Sequence, residues 1–95
     1  MPTHITEIED AARGRIVLRV EGSMTFEDAV LLEKIALDMR HRRGKDITLD
    51  LADLTFLDSE SAPVLKRLEG EHHFEIEGLM VFLQKIIEII EKKEN

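Results

Sequence analysis

The chain has 95 residues, 20 Asp and Glu against 13 Lys and Arg, a formal net charge of −7, 43% hydrophobic content and no cysteine. That balance fits one small folded domain over residues 1–95 and excludes a disulfide framework, a thiol nucleophile and cysteine-held metal. An acidic surface repels nucleic-acid phosphates and anionic lipid, and no apolar run approaches the ~20 residues that cross a bilayer.

The opening MPTHITEIED carries acids where a secretion signal has basic and then apolar residues, so the expected location is the cytoplasm. Ile5 and Ile8 mark a first strand in a polar neighbourhood, and Ala11-Ala12-Arg13-Gly14 reads as a turn. RIVLRVEG then alternates, with Ile16, Leu18 and Val20 on one side and Val17 and Arg19 on the other, until Gly22 breaks it. Thr25-x-x-Asp28 has the form of a capping box. The helix it opens sets Ala29, Leu32, Ile35, Ala36 and Met39 on one stripe. That helix ends in RHRRGK, with cations at the negative end of the dipole and Gly44 as the stop.

A further strand carries Ile47, Leu49 and Leu51 on one face and Thr48, Asp50 and Ala52 on the other. It leads through Asp58-Ser59-Glu60-Ser61 into a short helix supported by Val64, Leu65 and Leu68 and ended by Gly70. HHFEIEG reads as a last strand with Phe74 and Ile76 inward, and LMVFLQKIIEIIEKK as a final helix. Strands covered by helices on both faces are apolar throughout, whereas these alternate. The expected architecture is therefore α/β in two layers, β-β-α-β-α-β-α. Its mixed sheet has about four strands, with the helices packed on one face and the other face towards water.

Four features invite a functional reading. In the Asp58–Ser61 turn, Ser59 suits an N-cap and Glu60 suits the positive end of a helix dipole; the same residues equally suit a charge-sensitive docking point. Arg40, His41, Arg42, Arg43 and Lys45 complement the helix dipole, with a docking patch for an acidic partner or a phosphate as the alternative. His72-His73 invites a metal, but neighbours in a strand point to opposite faces, and no spaced ligand set accompanies them. The final helix has a wide apolar arc, so Met80, Phe82, Ile86 and Ile89 are candidates for self-association as a homodimer, with deep packing of the helix as the alternative. No nucleophile elbow or phosphate-cradling glycine loop is present, so the expectation is a non-enzyme without a cofactor or metal.

The stretch DITLDLADLTFLDSESAPVLKRL, residues 46 to 68, resembles the STAS domain of bacterial anti-sigma factor antagonists. There an apolar strand runs into an aspartate-serine-serine-glycine motif and a short helix. RVEGSMTFEDAVLL resembles the family's preceding strand, glycine turn and first helix, and the likeness extends over roughly residues 15 to 90. It implies a STAS-like fold and a protein-binding role in a partner-switching pathway of transcription regulation. The implied partner is an anti-sigma factor of the serine-kinase type. In the family the second hydroxyl of the motif accepts a phosphate, and the matching position here is Glu60, so the phosphoswitch is expected to be absent or altered. Ser61 stands where the family has glycine, and Asp58 and Ser59 match the motif's first two positions. The resemblance also allows a different role, an accessory subunit on the cytoplasmic ATPase of an ABC-type lipid or anion transporter.

Overall fold

The computed structural model describes residues 3–84. Strands β1 (His4–Asp10) and β2 (Arg15–Met24) open the chain, followed by α1 (Phe26–Arg43), β3 (Asp46–Asp50), β4 (Leu54–Leu57), α2 (Ser61–Gly70) and β5 (Glu75–Glu77). A third helix, α3, starts at 79 and is described as far as 84.

β1 and β2 form the expected antiparallel hairpin, paired from His4↔Glu21 to Asp10↔Arg15. Gly14 closes the turn at φ 65, its N–H donating to the Ala11 carbonyl at 3.3 Å. On its other side β2 pairs in parallel first with β3 (Arg15↔Asp46 to Arg19↔Asp50) and then with β4 (Gly22↔Leu54 to Met24↔Leu57). β5 adds in parallel to β3. The sheet thus has five strands rather than four.

The fifth strand comes from a break in what looked like one continuous alternation. Asp50 accepts the Ala52 N–H at 3.0 Å, and the Leu54 N–H donates to the Leu51 carbonyl at 3.2 Å. This tight turn ends β3 and restarts the chain as β4 against the far half of β2. Gly22 does not end β2 either. It sits inside the strand at φ 86, where the pairing with β4 shifts register, a common use of a strand glycine. HHFEIEG shortens to Glu75–Glu77, with His72 and His73 in the approach to it and His73 in the left-handed region at φ 59.

One sheet face and the helices make the core. Ile16, Leu18, Val20, Met24, Ile47, Leu49 and Leu51 are buried against Ala29, Leu32, Ala36 and Met39 of α1 and Val64, Leu65 and Leu68 of α2. Each fully buried Leu or Ile contributes roughly 1.5–3 kcal/mol. The opposite face is polar. There Arg15 pairs with Asp10 at 3.1 Å and Glu77 at 3.0 Å and donates to the buried Thr48 hydroxyl at 3.2 Å, so ion pairs tie β2 to β1 and β5 and a hydrogen bond ties it to β3. The basic end of α1 is likewise engaged internally: Arg43 pairs with Glu7 at 3.1 Å, Lys45 with Glu9 at 2.8 Å and Arg42 with Asp38 at 2.9 Å. Arg40 lies 4.2 Å over the Phe74 ring and donates to the His72 carbonyl. The capping box at Thr25 and Asp28 and the αL stop at Gly44 (φ 62) form as expected.

Gly78 fixes how β5 hands over to α3. Its φ is +79, and a Cβ there would meet the Ala52 backbone nitrogen at 2.5 Å, closer than any side chain tolerates. Gly14 has a similar φ but open space around it. Gly78→Ala is therefore expected to cost about 2–4 kcal/mol and Gly14→Ala about 1 kcal/mol. Thermal unfolding followed by circular dichroism checks the order; equal effects would mean that the turn at Ala52 yields freely.

Candidate functional site

The two main helices start side by side. β2 and β4 are parallel neighbours, so the chain leaves both at the same end of the sheet and enters α1 and α2 there. Ligands of open α/β sheets lie outside the carboxyl ends of the strands, where helix N-termini offer unpaired amides.

Asp58 joins the two starts. Its Oδ2 accepts the N–H of Phe26, the first residue of α1, at 3.0 Å, and its Oδ1 accepts the N–H of Ser61, the first residue of α2, at 2.9 Å. The Ser61 hydroxyl donates to the same Oδ1. The Asp58 N–H donates to the Met24 carbonyl at 3.2 Å, tying the turn to the end of β2. The expected cap residue, Ser59, is not the one used: among the described residues no side-chain cap bond comes from the turn except that of Asp58. A carboxylate three residues ahead of the amide it caps is good N-cap chemistry, and here one carboxylate serves two helices. The Ser61 hydroxyl, with the amides of Phe26 and Ser61, holds the Asp58 carboxyl below the usual carboxylate range.

The four turn residues therefore differ in what they present. Asp58 is committed to the clamp, and Ser61 is fully buried, its hydroxyl also lying 3.4 Å from the Met24 carbonyl. Ser59 and Glu60 are exposed. Glu60 lines a shallow cleft of about 330 Å³ with Thr25, Phe26, Glu27 and Asp58. The start of α1 thus belongs to the same surface, and Phe26 presents an apolar ring there, 43% exposed. Sequence reasoning missed Phe26 and Glu27. The available signal was the parallel order of their preceding strands.

The other sequence candidates lie elsewhere. His72 approaches Glu33 at 3.3 Å, where Glu33 also holds Arg67 through two bonds of 2.6 and 2.8 Å, so this cluster links α1 to α2. Among the described residues no group of three potential ligands could hold a metal ion. Phe82 is buried in the core, whereas Met80 is 77% exposed. Ile86 and Ile89 lie outside the described residues.

No protein-family model matches the sequence, and no curated protein matches it. Solved structures do. The antisigma-factor antagonist STAS domain from Rhodobacter sphaeroides superposes with a TM-score of 0.58 at 18% identity, over 83% of this chain and 89% of that one. The fold is that of a STAS domain. An uncharacterised DUF3478-family protein with a SpoIIAA-like fold from Shewanella loihica PV-4 gives a TM-score of 0.50 at 17% identity. That match covers 76% of this chain and 60% of the other. Within the STAS fold of this chain, Asp58–Glu60 link β4 to α2 and Ser61 opens α2, and no described helix is long and apolar enough to cross a membrane.

Asp58→Ala is expected to lower the melting temperature clearly, because it uncaps α1 and α2 together, while Ser59→Ala leaves it within about a degree. Equal melting temperatures for the two variants would show that the clamp contributes nothing. Acidification tests the same bonds collectively. Asp58, Asp28, Asp10, Glu9 and Glu33 all have carboxyls held low by hydrogen bonds or neighbouring cations. Each binds fewer protons folded than unfolded, so its stabilisation is full above the unfolded value of ~4 and is lost as pH falls through the folded value. Thermal melts from about pH 6 down to pH 2 should fall steeply below ~4, and Asp58→Asn should flatten that fall.

Proposed function

We propose that this chain is a non-enzymatic protein-interaction module that docks a protein partner through the Asp58–Ser61 turn and the first turn of α2. The observation that carries the reading is the division of labour in the turn. Asp58 and Ser61 are locked into the clamp, while Ser59 and Glu60 are exposed and Glu60 shares a cleft with the exposed Phe26 ring. A rigid backbone presenting a carboxylate and an apolar ring binds without the ordering cost of a mobile loop.

The likeness in fold to an antisigma-factor antagonist supports a regulator in a partner-switching pathway, with an anti-sigma factor or serine kinase as partner. In that reading Glu60 puts a permanent single negative charge where such a switch carries a phosphate of about −1.5 to −2. The partner that this chain holds is then one that tolerates, or requires, the charge at all times. The cytoplasm is the compartment this role implies.

The test is affinity capture from native cells with tagged wild type and Glu60→Lys. A soluble ATP-binding partner retained by wild type and lost by at least about tenfold with Glu60→Lys is the expected result, since a reversed charge at a docking point costs several kcal/mol. Glu60→Ser should then create an acceptor for that partner's kinase activity. Recovery only with the membrane fraction, unaffected by Glu60→Ser, would replace this reading with an accessory role on a transporter ATPase. Equal capture by wild type and Glu60→Lys would reduce the turn to a helix clamp.

A further inference from the structure

The cleft at the docking turn differs from its neighbours in charge. Its lining is Thr25, Phe26, Glu27, Asp58 and Glu60, three carboxylates with no cation. Three other clefts each hold both signs. Lys66 and Glu69 line the mainly apolar groove between α2 and the start of α3, Arg40 shares the cleft at the start of β3 with Asp46 and Glu75, and Lys66 and Arg67 share another with Glu71. Several acids elsewhere meet the chain's own cations, as Glu7 meets Arg43, Glu9 meets Lys45 and Glu33 meets Arg67. Among the described residues Glu27 and Glu60 are in no ion pair.

Asp58 decides the sign of the site. Two helix N-termini side by side attract an anion. That role is already filled, because the Asp58 oxygens take the first amides of both α1 and α2. A second anion would find those amides engaged and would meet Glu27 and Glu60, both exposed. A cation meets no such opposition.

Phe26 narrows the choice of cation. Its ring lines the same cleft and is 43% exposed, while its backbone N–H is fixed to Asp58 at 3.0 Å. Carboxylates alone accept a lysine or an arginine. An aromatic ring beside them favours the guanidinium, which is planar, stacks on rings, is more weakly hydrated than an ammonium and pairs with a carboxylate through two bonds. A metal ion fits less well, since among the described residues no group of three potential ligands could hold one.

We propose that this cleft takes an arginine side chain of the partner, its guanidinium against the Phe26 ring and its charge met by Glu27 and Glu60. The proposal rests on the docking reading and deepens it, naming the partner's contact as a basic segment rather than an acidic or wholly apolar face. Phe26 and Glu27 join Glu60 as residues that select the partner.

The chemistry is tested without the partner. The nitrogen-labelled full chain is titrated with N-acetyl-arginine amide, and in parallel with the lysine and glutamate equivalents, from roughly 0.1 to 20 mM and followed by nuclear magnetic resonance. Arginine is expected to shift the amides of residues 25–28 and 58–61 saturably, lysine to bind more weakly and glutamate to shift none of them. Phe26→Leu should weaken arginine about two- to fivefold, the worth of stacking on an exposed ring, and Glu27→Gln with Glu60→Gln should abolish its binding. All three positions are exposed, so the variants keep the fold, which a melting curve verifies. Equal shifts from arginine and glutamate overturn the proposal, as do shifts that fall outside the cleft or that ignore these substitutions. Capture from native cells separates this inference from the reading beneath it. A partner lost with Glu60→Lys yet held equally by Phe26→Leu and by Glu27→Gln leaves the docking turn standing and overturns the arginine cleft. A cleft that binds arginine, with equal capture by wild type and Glu60→Lys, overturns the docking reading alone.

Discussion

Strand β2 hydrogen-bonds along one side to β1, and along the other first to β3 and then to β4. A single strand shared between two successive partners imposes a condition on everything after it. The chain must leave β3, turn within Ala52 and Asp53, and re-enter the sheet further along β2. Gly22 absorbs the mismatch, and the alternating core side of β2, Ile16, Leu18, Val20 and Met24, stays fully buried through the change. Without that handover β4 has no ladder, and α2 has no reason to begin next to α1.

The clamp at Asp58 follows from this geometry. Two helices that start together bring their unpaired amides and the positive ends of their dipoles close to one another, a repulsive arrangement unless an anion lies between them. Asp58 supplies that anion, and its hydrogen bonds keep it ionised. The nearby carboxylate of Asp28 works weakly against it, pushing its titration back up, and is outweighed by the hydrogen bonds from the Ser61 hydroxyl and the Phe26 and Ser61 amides. A motif aspartate at this place is thus explained by capping alone. The residues free to do something else are the two between the clamp's ends, Ser59 and Glu60.

Periodicity made most of the architecture legible. The hairpin, the α1 stripe, its capping box and αL stop, the polar outer sheet face and the inward Phe74 and Ile76 all follow from local pattern. β4 was hidden because Leu54 and Leu57 look like a continuation of Ile47, Leu49 and Leu51. The clue was a slip of phase, a spacing of three between Leu51 and Leu54 where an unbroken strand requires two. By residue type Ser59 is a good cap, but capping depends on which oxygen reaches an amide, and Asp58 reaches those of both helices. The contribution of Phe26 to the same surface is a fact of topology that one-dimensional spacing does not contain.

The chain's charge is distributed unevenly over its surface. Along the sheet's wet face and at the end of α1, acids and bases neutralise one another within the chain. Around the turn, Glu27, Asp58 and Glu60 face the cleft with no cation among its lining residues. A cationic partner docking there, as proposed, would be steered over a Debye length of ~10 Å at 0.1 M salt, and less as salt rises. The groove beside α2 is mainly apolar, with Lys66 and Glu69 as its two charged lining residues. The turn and the groove thus differ in charge: the cleft at the turn is lined by acids without a cation, and the groove by one charge of each sign.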